Sequence, residues 1–244
     1  MKPAQGSLRV FDTPEDLARG AAEFLCELAE GGTGRLIVSL SGGSTPKPLY
    51  RRLAEEPLRS RLSWDRIHWI LGDERFVRQT DPASNFGMIC DAMLSHVPAP
   101  SENIHPVPTE GVTLDEAAER YEKTLQDLYG SATLDPNRPL IDLCLLGMGD
   151  DGHTASLIPG QPVLEERRRW VAGVGHGRPE PRITLTYPVL DSSRVVAFLV
   201  AGKSKQAVLD QVLSGGSTAP AARVKPVGEI IWFVDREAAG RWAE

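Results

Sequence analysis

With 244 residues, 41% hydrophobic and 25% charged, the chain has the balance of an ordinary globular protein and enough length for a sizeable core, expected here as a single domain over 1–244. A net charge of −6 argues against nucleic acid as a partner, and no apolar run approaches the roughly 20 residues that span a bilayer. Residues 1–7 carry no apolar stretch of a secretory signal, and Cys26, Cys90 and Cys144 are odd in number and widely spaced, so we expect a cytoplasmic protein with reduced thiols, no membrane association and no metal site.

Ser7–Phe11 alternates like a short strand, and Asp12-Thr-Pro-Glu15 supplies a cap, a proline and an acidic first turn for a helix to about Ala29. Residues 35–40 read as a buried strand that stops at Ser41-Gly-Gly-Ser-Thr-Pro46. Glycines after a strand let backbone N–H groups crowd an anion, Ser44 and Thr45 add hydroxyls, and Pro46 suits the first turn of a helix through Leu53. Gly42, Gly43, Ser44 and Thr45 are therefore candidate phosphate ligands, against the plainer reading of a capped strand-to-helix loop. The Gly-Lys-Ser/Thr ending of a P-loop is missing, which argues against a nucleoside triphosphate. Ile67–Leu71 is a third apolar run, leading into Gly72-Asp-Glu-Arg-Phe-Val77, where Asp73 and Arg75 are expected to face a cleft and Glu74 solvent. A self-paired charged turn is the alternative there. Asp81-Pro-Ala-Ser-Asn85 looks like a turn and cap before a helix from about Phe86 to His96, and both His96 and His105 are expected at the surface.

Thr113-Leu-Asp-Glu116 has capping-box spacing before an amphipathic helix to about Tyr129. Leu140-Ile-Asp-Leu-Cys-Leu-Leu146 then reads as a strand buried on both faces, and it breaks into Gly147-Met-Gly-Asp-Asp-Gly-His153. Asp151 is placed to accept a proton from one ring nitrogen of His153 and leave the other as a base near neutral pH; a turn with a solvated histidine is the plain alternative. Residues 154–169 suggest a short helix and an exposed basic patch, with Arg167 to Arg169 solvated. Strands follow at 170–174, 181–187 with Arg182 at the start, and 194–200. Gly202-Lys-Ser-Lys205 opens a helix to about Leu213, with Lys203 or Lys205 in reach of an anion; a loop at 215–222, a strand at 229–234 and a short helix close the chain.

Strands alternating with helices at this spacing predict an α/β fold, a three-layer α/β/α arrangement around a mainly parallel, Rossmann-like sheet. Residues 41–45, 73–75 and 151–153 all follow strands, so they share the crevice at the strands' carboxyl ends. Gly147 to Gly152 also matches G-x-G-x-x-G, but Asp150 and Asp151 would face a pyrophosphate, and no acidic residue ends the next strand. No G-x-S-x-G elbow supports a serine hydrolase. A non-catalytic sugar-phosphate binder would use the glycine loop and leave Asp151 and His153 without a role.

Leu40-Ser-Gly-Gly-Ser-Thr-Pro46, Gly72-Asp-Glu-Arg-Phe-Val77 with Ser84-Asn85, Leu146-Gly-Met-Gly-Asp-Asp-Gly-His-Thr-Ala-Ser156, Arg182-Ile-Thr-Leu-Thr186 and Gly202-x-x-Lys205 together resemble the 6-phosphogluconolactonase family. The resemblance implies a fold of the NagB/RpiA/CoA transferase-like kind. It also implies hydrolysis of 6-phosphoglucono-δ-lactone to 6-phosphogluconate, the second step of the oxidative pentose phosphate pathway, with no metal or cofactor. The partner implied is a small sugar-phosphate lactone, acted on by a monomer or small homo-oligomer. In this reading His153 deprotonates water and Asp151 fixes its tautomer. Arg75 or a backbone N–H near Gly149 receives the oxyanion, and Asp73 positions Arg75 or a sugar hydroxyl. The phosphate rests on residues 42–45, with Arg182 and Lys205 as counter-charges. The related glucosamine-6-phosphate deaminases are the alternative, but their pattern carries an acidic residue five after the histidine, where this chain has Ile158.

Overall fold

Apolar runs too short to be helices and too continuous to face water on one side become the central strands: all five residues of Leu36–Leu40 are buried, as are Leu143, Cys144, Leu145 and Leu146 in Ile141–Gly147. The computed structural model describes residues 2–243. Its order is β1 (Ser7–Phe11), α1 (Pro14–Glu30), β2 (Leu36–Leu40), α2 (Lys47–Leu53), α3 (Leu58–Arg61), β3 (Ile67–Leu71), β4 (Asp73–Arg75), α4 (Asn85–Ala92), β5 (Ile104–His105), α5 (Leu114–Tyr129) and β6 (Ile141–Gly147). Then come β7 (Val171–Val174), β8 (Arg182–Leu185), α6 (Tyr187–Asp191), β9 (Ser193–Val200), α7 (Gln206–Leu213), β10 (Glu229–Asp235) and α8 (Arg236–Ala239).

Seven strands form one sheet in the order β1-β10-β9-β6-β2-β3-β5, with every neighbouring pair parallel. The chain moves outward from β2 through β3 to β5, then returns to the other side of β2 and proceeds through β6, β9 and β10. The order thus reverses between β2 and β6, and the loops leaving their carboxyl ends part there to open a crevice. Helices cover the sheet because its inner strands are apolar on both faces. Thr13 caps α1 by accepting from the Asp16 N–H, and Thr113 and Glu116 form the capping box of α5, which ends at Gly130 with φ +80°.

The expected mainly parallel sheet is accompanied by a second one, in the order β4-β8-β7 and antiparallel throughout. Gly72 passes the chain between the two sheets: its N–H donates to the Leu40 carbonyl at 2.9 Å and its own carbonyl accepts from Leu185 N–H at 2.9 Å. Other expectations shift locally. The helix at Asn85 ends at Ala92, and a 3-10 turn covers Leu94–His96; the short helix after His153 is a 3-10 turn at Pro162–Glu165. Arg169 is not simply solvated, since its Nε donates to Glu122 Oε2 at 3.0 Å, an oxygen that also accepts from the Trp170 and Val171 N–H groups at the start of β7.

His96 is exposed as expected, but His105 is not a free surface histidine. On the sheet edge its Nε2 lies 3.0 Å from Nδ1 of His68 and the rings stack 5.3 Å apart. One ring must donate and the other accept, so at least one of the two must be uncharged. Burial, and then Arg35, lower the pKa of His68; burial, His68 and Arg35 lower that of His105. Above the ordinary histidine value of about 6.5 both states are neutral and the pair costs nothing; below it the unfolded chain takes up protons that the folded chain refuses, so stability falls with pH. Urea denaturation from about pH 7.5 to pH 5 is expected to show this loss, and His105→Gln to remove part of it; an identical pH slope in the variant would exclude the pair as its source.

Candidate active site

The end of β2 is held by a tyrosine. Tyr50, buried in α2, accepts a hydrogen bond from the Ser41 N–H at 2.9 Å and donates to the Ser41 carbonyl at 2.7 Å. Burial pushes its phenol pKa up, so the proton needed for that donation stays in place. The chain then turns through Gly42, where a Cβ would stand 1.9 Å from Asn85 Oδ1, and Gly43, whose φ of +101° favours glycine. Among the described residues, the N–H groups of Gly42, Gly43, Ser44 and Thr45 donate to no protein acceptor. They are free to meet an anion.

The charged cluster after β3 sorts its side chains differently from the expectation. Glu74 faces inward and is 2% exposed. One carboxylate oxygen accepts from the Arg75 and Asn85 N–H groups at 2.7 Å, and the other from Phe86 N–H at 2.8 Å and Ser84 Oγ at 3.2 Å. Burial raises its pKa while the backbone bonds work against that rise, and the donors crowding both oxygens suit the carboxylate. Asp73 does not orient Arg75 either. It accepts from Ser156 Oγ at 2.6 Å and lies 4.0 Å from Arg182, whereas Arg75 is tied by Nη1 to the Ala83 carbonyl at 2.6 Å. Asn85 Nδ2 donates to the Asp73 carbonyl at 2.9 Å and joins this cluster to Gly42.

After β6 the chain reverses tightly: Gly149 N–H donates to the His153 carbonyl at 2.8 Å, and Gly152 has φ +76°. That bond occupies the Gly149 amide, which removes it as the oxyanion donor. Asp151 Oδ1 accepts from the His153 N–H at 3.0 Å and contacts its ring Nδ1 at 2.5 Å. Burial works to raise the Asp151 pKa, but hydrogen bonds from Arg178 and from His153 backbone and ring hold it well below the usual carboxylate range. An ionised Asp151 only accepts, so Nδ1 carries the proton and Nε2 is the free base. A Cβ on Gly149 would stand 2.0 Å from Nδ1, so the imidazole lies directly on the glycine backbone. Beyond it Ala155 takes a left-handed φ of +46°, a strained choice costing about 1 kcal/mol, and thereby aims Ser156 at Asp73.

Gly42, Gly43, Ser44, Thr45, Asp73, Arg75, His153, Arg182 and Lys205 line one cleft of about 410 Å³, with Asp151 behind His153. Of the two candidate lysines, Lys205 is on the wall; its Nζ sits 2.7 Å from Asp150 Oδ1 and lowers that carboxyl's pKa, with help from Ser204. Arg182 is lowered by burial, with Asp73 opposing. The Nε groups of Arg75 and Arg182 are buried without a hydrogen-bond partner. Ile158 is buried and lies off the cleft walls. Tyr50 and Arg178, which reach the site from a helix and from the loop after β7, carry no signal in the sequence; Asn85 and Ser156 were indicated only as the ends of the Ser84-Asn85 and Leu146–Ser156 motifs.

Residues 12–232 match the family model described as glucosamine-6-phosphate isomerases/6-phosphogluconolactonase. The chain is 43% identical over 209 residues to a 6-phosphogluconolactonase of Nostoc sp., with 84% of each covered. It is 38% identical over 248 residues to the 6-phosphogluconolactonase of Rattus norvegicus, covering 97% of this chain and 94% of that one. The solved 6-phosphogluconolactonase of Thermotoga maritima superposes with a TM-score of 0.80 at 31% identity, over 94% of this chain and 99% of the other.

Glu74 gives this geometry a direct test. Glu74→Gln places an amide NH2 against backbone donors in a buried site, and a loss of roughly 2 kcal/mol in urea denaturation is expected. Stability equal to that of the parent would mean that the carboxylate does not hold the loop of residues 76–84.

Proposed function

The chain belongs to the glucosamine-6-phosphate isomerase/6-phosphogluconolactonase family, and we propose that within it the chain is the lactonase, hydrolysing 6-phosphoglucono-δ-lactone to 6-phosphogluconate. One observation carries the mechanism: an imidazole whose Nδ1 is held by Asp151 lines the same cleft as a loop of unspent amides. A lactone is an activated ester, so water deprotonated by His153 Nε2 attacks its carbonyl carbon without a covalent nucleophile. The proton passes to the ring, and Asp151 stabilises the imidazolium. Arg75, which has donors left over from its single bond to Ala83, receives the oxyanion. When the tetrahedral intermediate collapses, the ring C–O bond breaks and His153 returns its proton to the leaving alkoxide. Asp73, placed on Ser156 and near Arg182, orients Arg182 or a sugar hydroxyl.

The phosphate takes the amides and hydroxyls of residues 42–45, with Arg182 and Lys205 as counter-charges. Binding that remote dianion orients the lactone over His153. Every group in this account comes from one chain, in keeping with a monomer or small homo-oligomer. No helix among the described residues is long and apolar enough to cross a membrane, and the cytoplasm remains the expected location.

The decisive assay adds the protein to freshly generated 6-phosphoglucono-δ-lactone and follows 6-phosphogluconate against the spontaneous background, with ammonia release from glucosamine-6-phosphate measured in parallel. Lactone hydrolysis without ammonia is expected, and ammonia alone would overturn the reading. His153→Ala should lower kcat by about 10²–10⁴-fold with product affinity nearly unchanged; unchanged turnover would remove His153 from the mechanism. Gluconate should bind at least about tenfold more weakly than 6-phosphogluconate if the glycine loop holds the phosphate; equal affinities would dismiss that cradle.

A further inference from the structure

The loop between β7 and β8, residues 175–181, carries a cation that the mechanism above leaves unused. Arg178 donates from Nη2 to Asp151 Oδ2 at 2.6 Å, and the same nitrogen lies 3.1 Å from His153 Nδ1. The loop is shaped for this placement. Gly177 has φ +89° and passes so close to Gln161 that a Cβ would stand 2.8 Å from its Nε2; Arg178 Nη1 turns back onto the Gly177 carbonyl at 3.2 Å. Asp151 is thereby divided, with Oδ1 serving the histidine and Oδ2 the arginine.

A carboxylate beside an imidazole does two things at once. It orients the ring by accepting from Nδ1, and it draws a second proton onto Nε2, which would remove the base. A guanidinium on the other carboxylate oxygen separates these effects. It fixes the carboxylate's rotation, because it can only donate, and its charge opposes the second proton. We propose that Arg178 is a positioning residue that lets Asp151 orient His153 while keeping the ring a free base, a role that rests on His153 being the base of the lactonase reaction. The other ionisable groups around the ring are Asp150 on its own loop, Asp73 and Arg75 from β4, Glu180 and Arg182 at the start of β8, and Lys205 after β9. Asp150 is neutralised by Lys205, and Glu180 and Asp73 flank Arg182. Arg178 alone among these cations touches both members of the pair.

The test compares the parent with Arg178→Gln and Arg178→Lys. In the Gln variant the acid limb of the kcat/KM profile should move up by about 0.5–1 pH unit, with KM and the affinity for 6-phosphogluconate within about twofold of the parent. The Lys variant, which keeps the charge, should keep the limb in place. NMR titration of the His153 ring in the free protein reads the same shift whether or not the protein turns over lactone, so failure of the lactonase reading and failure of this one are distinguishable. An unmoved ring titration in the Gln variant overturns the proposal, and so does an equal shift in both variants. A KM rise of about tenfold or more with the limb in place would make Arg178 a substrate contact instead.

Discussion

A parallel strand that ends inside a protein leaves backbone N–H and C=O groups that must find partners, and at β2 and β3 each strand end is met by a single tyrosine hydroxyl. Tyr50 closes both groups of Ser41; Tyr121, from α5, accepts from the Leu71 N–H at 2.6 Å and donates to its carbonyl at 3.1 Å. The amides that follow Ser41 are thereby released from secondary-structure pairing, whereas Gly72 still donates to the Leu40 carbonyl and hands the chain on to β4. Past Ser41 the loop amides need no protein partner, and past Leu71 the chain turns out into the second sheet. Both parts of the cleft, the anion loop and the cationic wall, begin where a tyrosine has ended a strand.

The charge distribution follows from the same geometry. The chain as a whole is acidic, at −6, yet Arg75, Arg182 and Lys205 face the cleft. Each has only part of what a guanidinium or ammonium wants: a carbonyl for Arg75, carboxylates at 4.0 and 3.9 Å for Arg182, and an exposed Asp150 for Lys205. Partly buried cations so incompletely paired are costly unless an anion completes them. The negative surface keeps the rest of the molecule from competing for that anion.

Much of this was legible in the sequence because strand ends announce themselves. Apolar runs broken by glycine placed residues 41–46, 72–77 and 147–153 at one sheet edge, and Asp151 two residues before His153 already specified the dyad. Glu74 was misplaced because alternation along a strand predicts opposite faces for Asp73 and Glu74, and the solvent face of β4 is covered by α4, a contact between segments that pattern cannot see. Asp73 was assigned to Arg75 from the resemblance, and as i and i+2 on β4 the two do share a face, but each finds another partner: Ser156, 83 residues away, for Asp73 and the Ala83 carbonyl for Arg75. Arg178 was invisible for a related reason. It sits in a polar loop whose conformation depends on Gly177 packing against Gln161, and nothing in either segment names the other.

One position that helps to separate the two chemistries of the family is buried in this chain. Ring opening of an amino sugar needs an acid at the ring oxygen, and the deaminase pattern supplies a carboxylate five residues after the histidine. Here that residue is Ile158, 4% exposed and packed in the core beside Leu157. An acid there would need partners that the apolar surroundings do not offer, and burial would hold it uncharged. The cleft is left with a base, an anion loop and cations. That set suits a substrate whose carbonyl is already exposed and activated, for which ring opening is the outcome of attack by water rather than a step that must come first.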